Sequence, residues 1–139
     1  MYDVITTVLL GSLGYLLTKF FFDPLFNILN LRQEMHIAIL KYANLWGLDV
    51  ERQKVACEEY RLLAARGIAE CENLSYYKIH NFCFLNHYLK FRNIDMGEAA
   101  KSFWIMSGEA SRPDENLRKE TVSRIYEYLN LPREEQEKK

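Results

Sequence analysis

The longest apolar run of the chain lies at its beginning. Residues 4–22 contain one charged side chain, Lys19, and are bracketed by Asp3 and Asp23. A helix needs about 20 predominantly apolar residues to cross the hydrocarbon core of a bilayer. The pattern therefore predicts a transmembrane helix over residues 1–23, surrounded by membrane lipid.

The alternative interpretation of this run is a cleaved signal peptide. No positive side chain precedes the run and no small-x-small cleavage site follows it, which favours a retained helix. Lys and Arg accumulate on the cytoplasmic side of membrane helices. Because Lys19, Arg32 and Lys41 lie within or after the run, we expect the N-terminus outside and the C-terminal domain in the cytoplasm.

Small residues form a stripe along the predicted transmembrane helix. Thr7, Gly11, Gly14 and Thr18 recur at steps of four, three and four residues, which places them on one helix face. Helices in lipid associate through close backbone contact and interhelical hydrogen bonds. The stripe predicts a homo-oligomer with left-handed crossings; the alternative is that Gly and Thr are simply frequent in membrane helices.

Residues 24–132 show apolar positions at helical spacing, and the alternation typical of strands is rare. Asp23-Pro24 is a helix-start signal, where the membrane helix is expected to end or kink. The predicted fold is all-α, with one N-terminal transmembrane helix followed by a compact cytoplasmic bundle of about four to five helices. Residues 133–139 are predicted to be a charged flexible tail. The predicted bundle helices cover residues 24–46, 50–71, 76–91, 96–106 and 112–129.

The predicted helices differ in how their apolar residues are arranged. Residues 50–71 would turn Val50, Cys57, Tyr60, Ala64 and Ile68 inward, whereas residues 76–91 are apolar nearly all round. A helix of the second kind is difficult to bury within one small chain. We therefore expect it to form an interface between copies outside the membrane, through Tyr77, Phe82, Phe84 and Tyr88.

Composition narrows the classes of function. A formal net charge of −1 argues against general nucleic-acid binding, which needs an excess of Lys and Arg. Three widely spaced cysteines on the cytoplasmic side are expected to be reduced thiols. His80, Cys83 and His87 share a helix side, but no fourth ligand at a familiar spacing completes a metal site and no third residue orients a nucleophile. We expect no metal, no cofactor and no enzymatic activity.

Basic residues are the candidates for binding a ligand. Arg32 interrupts the apolar face of its predicted helix, where an unpaired charge would be costly. One interpretation is a structural arginine bonded to a carboxylate or to helix-end carbonyls. The other is contact with an anion or a lipid headgroup. A small anionic, nucleotide-like ligand would require several basic residues to converge, drawn from Arg32, Arg61, Arg66, Lys78 and Arg112.

Several short motifs follow the membrane segment in a particular order. They are Phe-Phe-Phe-Asp-Pro at 20–24, Asn-Leu-Arg at 30–32, Tyr-Ala-Asn at 42–44, Glu-Arg at 51–52, Tyr-Arg-Leu-Leu-Ala at 60–64 and Ile-Met-Ser at 105–107. In this order the chain resembles a group of small bacterial single-span membrane proteins of uncharacterised function. The resemblance implies a bacterial inner-membrane location and supplies no activity. If the pattern marks a site, Arg32 and Asn44 are its polar members.

Two hypotheses of different classes follow. The first is a non-enzymatic, self-associating membrane effector whose cytoplasmic domain controls packing of the transmembrane helices in response to a small anionic signal. The second is a membrane-anchored structural adaptor that docks a cytoplasmic protein partner. Leakage of ions or dye would favour the effector, and a stoichiometric protein partner without leakage would favour the adaptor.

Overall fold

The computed structural model describes residues 2–43, 49–79, 83–109 and 115–132, and within these ranges all regular structure is helical, with no strand. The all-α prediction is confirmed. The elements, in chain order, are α1 (Tyr2–Leu17), a π-helical turn (Thr18–Phe22), α2 (Asp23–Lys41), α3 (Val50–Ile79), α4 (Cys83–Phe91), α5 (Met96–Glu109) and α6 (Glu115–Tyr128).

The first three elements form one uninterrupted helix, which we call the rod. The rod runs from Asp3 to Lys41 over 39 residues, and its N-terminal part is long and apolar enough to cross a membrane. At about 1.5 Å per residue the rod is about 58 Å long, roughly twice the thickness of a hydrocarbon core. A bilayer would therefore cover only half of it.

The membrane helix does not end at Asp23-Pro24 but continues through the π-helical turn. Proline has no backbone N–H, and inside an α-helix its ring would clash with the carbonyl four residues earlier, here that of Phe20. In the structure the turn before it is widened, and the Asp23 N–H donates to the Thr18 carbonyl, five residues back. Widening by one residue accommodates the proline without breaking the helix.

The helical domain consists of the second half of the rod and the helices that pack against it. α2 packs on α3, α3 lies along α5, and α5 also contacts α6. The inner face of α2 is buried and consists of Ile28, Leu31, Met35, Ala38 and Ile39. The second half of the rod is therefore part of the domain core.

Close contact between α3 and α5 depends on small residues. A Cβ added to Gly67 of α3 would lie 2.8 Å from the Ala100 Cβ and 3.1 Å from the Met35 Cε. Real Cβ atoms almost never show the first distance, and the second is tighter than nine in ten real Cβ contacts, so a side chain here would force its neighbours to shift. Glycine at this position lets the two helix backbones approach.

The inward face predicted for residues 50–71 is partly wrong. Cys57, Tyr60 and Ala64 are buried as predicted, but Val50 is 66% exposed and Ile68 41% exposed. The buried stripe of α3 instead includes Ala56 and Gly67, small residues that allow close packing.

Helix boundaries also differ from the prediction. The break expected between residues 71 and 76 is absent, because α3 continues to Ile79. The single helix predicted over residues 76–91 is instead divided between the end of α3 and α4. The side chains of Tyr77 and Phe84, and Phe82 altogether, lie outside the described residues, as does the tail at 133–139.

Two helices end in the same left-handed motif. Asn93 after α4 and Asn130 after α6 have φ angles of 49° and 47°. The next residue in each case, Ile94 or Leu131, donates its N–H to the carbonyl five residues back, at 3.0 and 2.9 Å. This is the Schellman arrangement, in which asparagine tolerates the left-handed backbone and the following apolar residue packs on the helix.

Helix starts use aspartate. The Asp49 Oδ1 accepts the Arg52 N–H at 2.8 Å at the start of α3. The Asp95 Oδ1 accepts the Glu98 N–H at 3.1 Å at the start of α5. These carboxylates satisfy N–H groups that have no partner inside the first turn.

Candidate functional site

The stripe of small residues in α1 is uncovered in the single chain. Thr7, Gly11, Gly14 and Thr18 are all exposed, and no atom lies within 4 Å of a Cβ added at either glycine. The Thr7 hydroxyl donates to the Asp3 carbonyl at 2.8 Å, and the Thr18 hydroxyl to the Gly14 carbonyl at 3.0 Å. Both hydroxyl protons are used within the helix, and the oxygen lone pairs still face outward as acceptors.

An ion pair lies across the π-helical turn. The Lys19 Nζ is 3.3 Å from the Asp23 Oδ2, one turn further along the rod. Asp23 was predicted to cap a new helix at this point; in the structure it is inside the continuous rod and pairs with Lys19 instead. The pair leaves the boundary between the apolar half and the amphipathic half without net charge.

Arg32 holds the C-terminal end of α6. Its Nε donates to the Leu129 carbonyl at 2.6 Å and its Nη2 to the Asn130 carbonyl at 2.7 Å. These are carbonyls without partners inside the helix, so a positive charge is favourable there. Burial, with a smaller effect from Arg92, lowers the pKa of Arg32, yet a guanidinium keeps its proton. Arg32 therefore has the structural role that was one of the two sequence interpretations.

Arg118 of α6 makes the reciprocal contact. Its Nη2 donates to the Tyr42 carbonyl at 2.5 Å and to the Ala43 carbonyl at 2.6 Å, at the C-terminal end of α2. α2 and α6 are thus antiparallel, and an arginine of each binds the end of the other. Sequence reasoning did not single out Arg118, because a charged residue on a helix is usually solvated and nothing local marks its distant partner.

Two acidic residues tie α2 to α3. Arg66 donates to both carboxylate oxygens of Glu34, the longer contact being 3.3 Å. The Glu59 Oε2 accepts hydrogen bonds from the Lys41 Nζ at 2.7 Å and from the Tyr42 hydroxyl at 2.5 Å. α2 is therefore bound to α3 at two levels one to two turns apart.

The pKa values around Glu59 follow from these contacts. Burial acts to raise the pKa of Glu59, but the hydrogen bonds from Lys41 and Tyr42 outweigh it and hold the pKa below its usual value. The hydrogen bond to Glu59 raises the pKa of Lys41. The ionised carboxylate is thus the form that the fold stabilises.

The basic residues predicted to bind an anion are not gathered around an open site in the part of the chain that is described. Arg32 and Arg66 already hold protein partners. Arg61 is exposed on α3. The side chain of Lys78 and all of Arg112 lie outside the described residues, as does Asn44.

Two buried polar atoms have no hydrogen-bond partner within the described ranges, the Tyr60 hydroxyl and the His36 Nε2. The Tyr60 ring is packed edge-on against Tyr42, with centroids 5.7 Å apart, and against Phe103 at 5.4 Å. Burial strongly raises the pKa of Tyr60. The hydroxyl is neutral at any physiological pH, and it costs folding free energy because water is excluded from it.

The remaining candidates are only partly described. Tyr88, predicted at an interface, is half-buried against the core. Cys57 is a buried thiol whose pKa burial raises, and Cys71 is half-buried. No group of three His, Cys, Asp or Glu side chains that could hold a metal occurs among the residues described, which do not include His80.

Three features distinguish the rod from the rest of the chain. The small-residue stripe of α1 is exposed, the Lys19–Asp23 pair leaves the boundary between the two halves without net charge, and several hydrogen bonds fix α2 in the domain. Together they make the rod the candidate functional element. Comparison of the chain with protein-family models, curated proteins and solved structures returned no match.

Proposed function

We propose that the protein is a non-enzymatic, self-associating membrane effector whose helical domain controls how the transmembrane helices pack. The observation that carries this proposal is the continuity of the rod. Its first half is apolar and uncovered, its second half is part of the domain core, and the helix between them is unbroken. A tilt or rotation of the domain would therefore move the transmembrane half with it.

Rigidity of the connection supports this mechanism. α2 is fixed by Arg32 and Arg118 on the side of α6, and by Glu34 and Glu59 on the side of α3. Paired helices held at several points move as one body, whereas a flexible linker would separate their motions. The domain and the first half of the rod are thus expected to respond together.

Location and topology are part of the proposal. We place residues 1–23 in a bacterial inner membrane with the N-terminus outside, in line with the positions of Lys19, Arg32 and Lys41. The apolar surface of α1 is not covered by any of the residues that the structure describes, and lipid would cover it. Residues 24–132 would then form the cytoplasmic domain.

The proposed trigger is a small anionic ligand. It would have to bind Arg61, Lys78 and Arg112, or displace the protein groups now bound to Arg32 and Arg66. Displacing Glu34 from Arg66 would loosen α2 from α3, which connects ligand binding to the rod. A nucleotide-like anion would in this way act on the packing of the transmembrane helices.

The experiment is a reconstitution. The full-length protein in liposomes should release an entrapped dye and, in mild detergent, show a mass of several chains. Gly11→Leu combined with Gly14→Leu should abolish both, because leucine would separate the helix backbones. Ser12→Leu makes a similar change on another face of α1 and serves as the matched control. A monodisperse monomer for the unmodified chain would contradict the proposal.

The second candidate is a structural adaptor, favoured by exposed apolar residues far along the chain from the rod. Trp104 and Ile105 of α5 and Leu62 of α3 are exposed. Such side chains are frequent in protein docking sites. Copurification of a stoichiometric cytoplasmic partner, lost in Trp104→Ala and without dye release, would favour the adaptor over the effector.

A further inference from the structure

The face of α2 that points away from the core carries three large exposed apolar side chains together with two uncharged polar ones. Its members are all exposed and recur at steps of four, three, four and three residues; we call them the outer face, and they are Phe26, Asn30, Gln33, Ile37 and Leu40. Phe26 is 57%, Ile37 53% and Leu40 44% exposed. Alternating steps of three and four are those of a coiled-coil contact. The domain leaves this contact without a partner in the described chain.

The π-helical turn determines where the outer face points relative to α1. A π turn contains one residue more than an α turn. Each residue beyond the turn therefore takes the position around the helix axis that the preceding residue would have in a regular α-helix. The position of each residue around the helix axis follows from about 100° per residue, with one residue subtracted beyond the π-helical turn. Counted in this way, the small-residue stripe and the outer face lie within about 40° of one line along the rod. In a regular α-helix the outer face would be turned about 100° away from the stripe.

Phe22 closes the gap between the two sets. It lies on the same line, is exposed, and its ring stacks on that of Phe26 with centroids 6.4 Å apart. The line therefore runs from Thr7 to Leu40 without a gap. Its composition changes at the turn, from small residues suited to contact in lipid to larger side chains, of which Phe26, Ile37 and Leu40 are apolar and suited to contact in water.

Charge is consistent with a second copy of this chain as the partner. Every charged side chain of the rod from Lys19 to Lys41 is bound within the chain: Lys19 to Asp23, Arg32 to carbonyls, Glu34 to Arg66 and Lys41 to Glu59. Two identical faces therefore meet without repulsion between like charges. A partner chosen by charge would instead need an unpaired charge beside the face.

The membrane orientation of the chain and the position of Asn30 also favour a second copy as the partner. Copies inserted in the same orientation can meet only in parallel, which places each residue of the line opposite its own counterpart. Asn30 and Gln33 interrupt the apolar residues of the outer face, and two asparagine side chains facing each other can hydrogen-bond, which favours this register. A partner must also cross the membrane boundary at the same level, as a second copy does.

We propose that two copies of the chain contact each other in parallel along the whole rod, from Thr7 to Leu40, and that the π-helical turn at Pro24 aligns the two halves of this contact. This inference rests on the self-association in the proposed function. It adds the surface outside the membrane and the device that connects it to the small-residue stripe.

Disulfide cross-linking in membranes tests the surface. In the full-length chain without native cysteines (Cys57→Ala, Cys71→Ala, Cys83→Ala), Asn30→Cys and Ile37→Cys should give a species of twice the mass on oxidation. Asn27→Cys replaces the same residue type at an exposed position off the line and should not, since a disulfide needs Cα atoms within about 7 Å. Equal cross-linking at positions 27 and 30 would overturn the proposal.

Two further variants test the role of the turn. Pro24→Ala permits a regular α-helix, so cross-linking at Asn30→Cys should be lost. Deleting Phe21 in the Pro24→Ala variant removes the extra residue, restores the alignment and should restore the cross-link. A cross-link unaffected by Pro24→Ala would contradict the alignment role.

The outcomes separate this inference from the proposed function. If Gly11→Cys cross-links while Asn30→Cys and Ile37→Cys do not, the transmembrane association holds and the contact outside the membrane is wrong. If none of them cross-links, both fail. Capture of a different protein by Asn30→Cys would show that the outer face serves a partner other than a second copy.

Discussion

The two halves of the rod have the same backbone conformation and very different surroundings. α1 is exposed along its length, and its Thr7 and Ser12 hydroxyls bind carbonyls of the same helix. α2 buries one face in the domain core and forms hydrogen bonds with α3 and α6. The difference shows that the sequence of one continuous helix is adapted to two environments, with lipid proposed for the first and protein on one side of the second.

The glycines offer the largest contrast between the two regions. Gly67→Leu should destabilise the domain by about 3 kcal/mol, at the upper end for overpacked sites, because Ala100 and Met35 occupy the space. Gly14→Leu meets nothing within 4 Å and should leave the unfolding of the domain unchanged. Denaturant unfolding followed by tryptophan fluorescence in detergent measures both. Equal effects would mean that α1 is packed against the domain.

Loss of Arg32 on α2 should destabilise the domain more than loss of Arg61 on α3. The difference in unfolding free energy should be smaller than that between the two glycine variants. Arg32→Gln leaves the Leu129 and Asn130 carbonyls without their charged donor and should cost about 2 kcal/mol of unfolding free energy. Arg32→Lys should rescue little, since a lysine lacks the planar fork that reaches two carbonyls. Arg61→Gln is the control and should stay within about 0.5 kcal/mol of the unmodified protein. A silent Arg32→Gln would contradict the capping role.

Stability should depend on pH through Glu59. Its pKa is lower in the folded than in the unfolded chain, so its contribution is present above the unfolded value of about 4.3 and is lost as pH falls through the folded value. Glu59→Gln should therefore cost up to about 1 kcal/mol at pH 7, a modest amount for a partly exposed ion pair. The difference from the unmodified protein should vanish in acid. A difference that grows on acidification would contradict this assignment.

Tyr60→Phe should have the smallest effect. The substitution removes a buried hydroxyl that has no hydrogen-bond partner among the described residues and keeps the ring against Tyr42 and Phe103. The free energy of unfolding should stay the same or rise by up to about 1 kcal/mol. Thermal unfolding compares the two proteins, and a clear loss of stability would reveal a partner for the hydroxyl.

Local patterns predicted the helical content well. Helical spacing of apolar residues identified the all-α fold, and the predicted start of a helix at residue 50 and end of a helix at residue 91 agree with the structure. These features depend on residues near each other in the chain. Pro24 was read by the same rules as a helix boundary, and the prediction failed because the helix widens by one residue instead of ending.

Long-range contacts were less accessible. Arg118 could not be recognised because its partners lie 75 and 76 residues away in the chain. The close contact of α3 and α5 through Gly67 and Ala100 was not predicted either, because it joins residues 33 positions apart. The outer face of α2 was not recognised, since its alignment with the stripe appears only once the π-helical turn is known.

The continuity of the rod across the turn is the central claim, and one distance tests it. Spin labels at Val8→Cys in α1 and Asn27→Cys in α2, in a background without native cysteines, would be measured in bilayer nanodiscs diluted with unlabelled chain. Residues 8 and 27 are 19 positions apart, so an unbroken helix predicts a narrow distribution of distances between the spin labels, centred at about 28 Å. A broad distribution reaching much shorter distances would show a hinge at Pro24 and contradict the account.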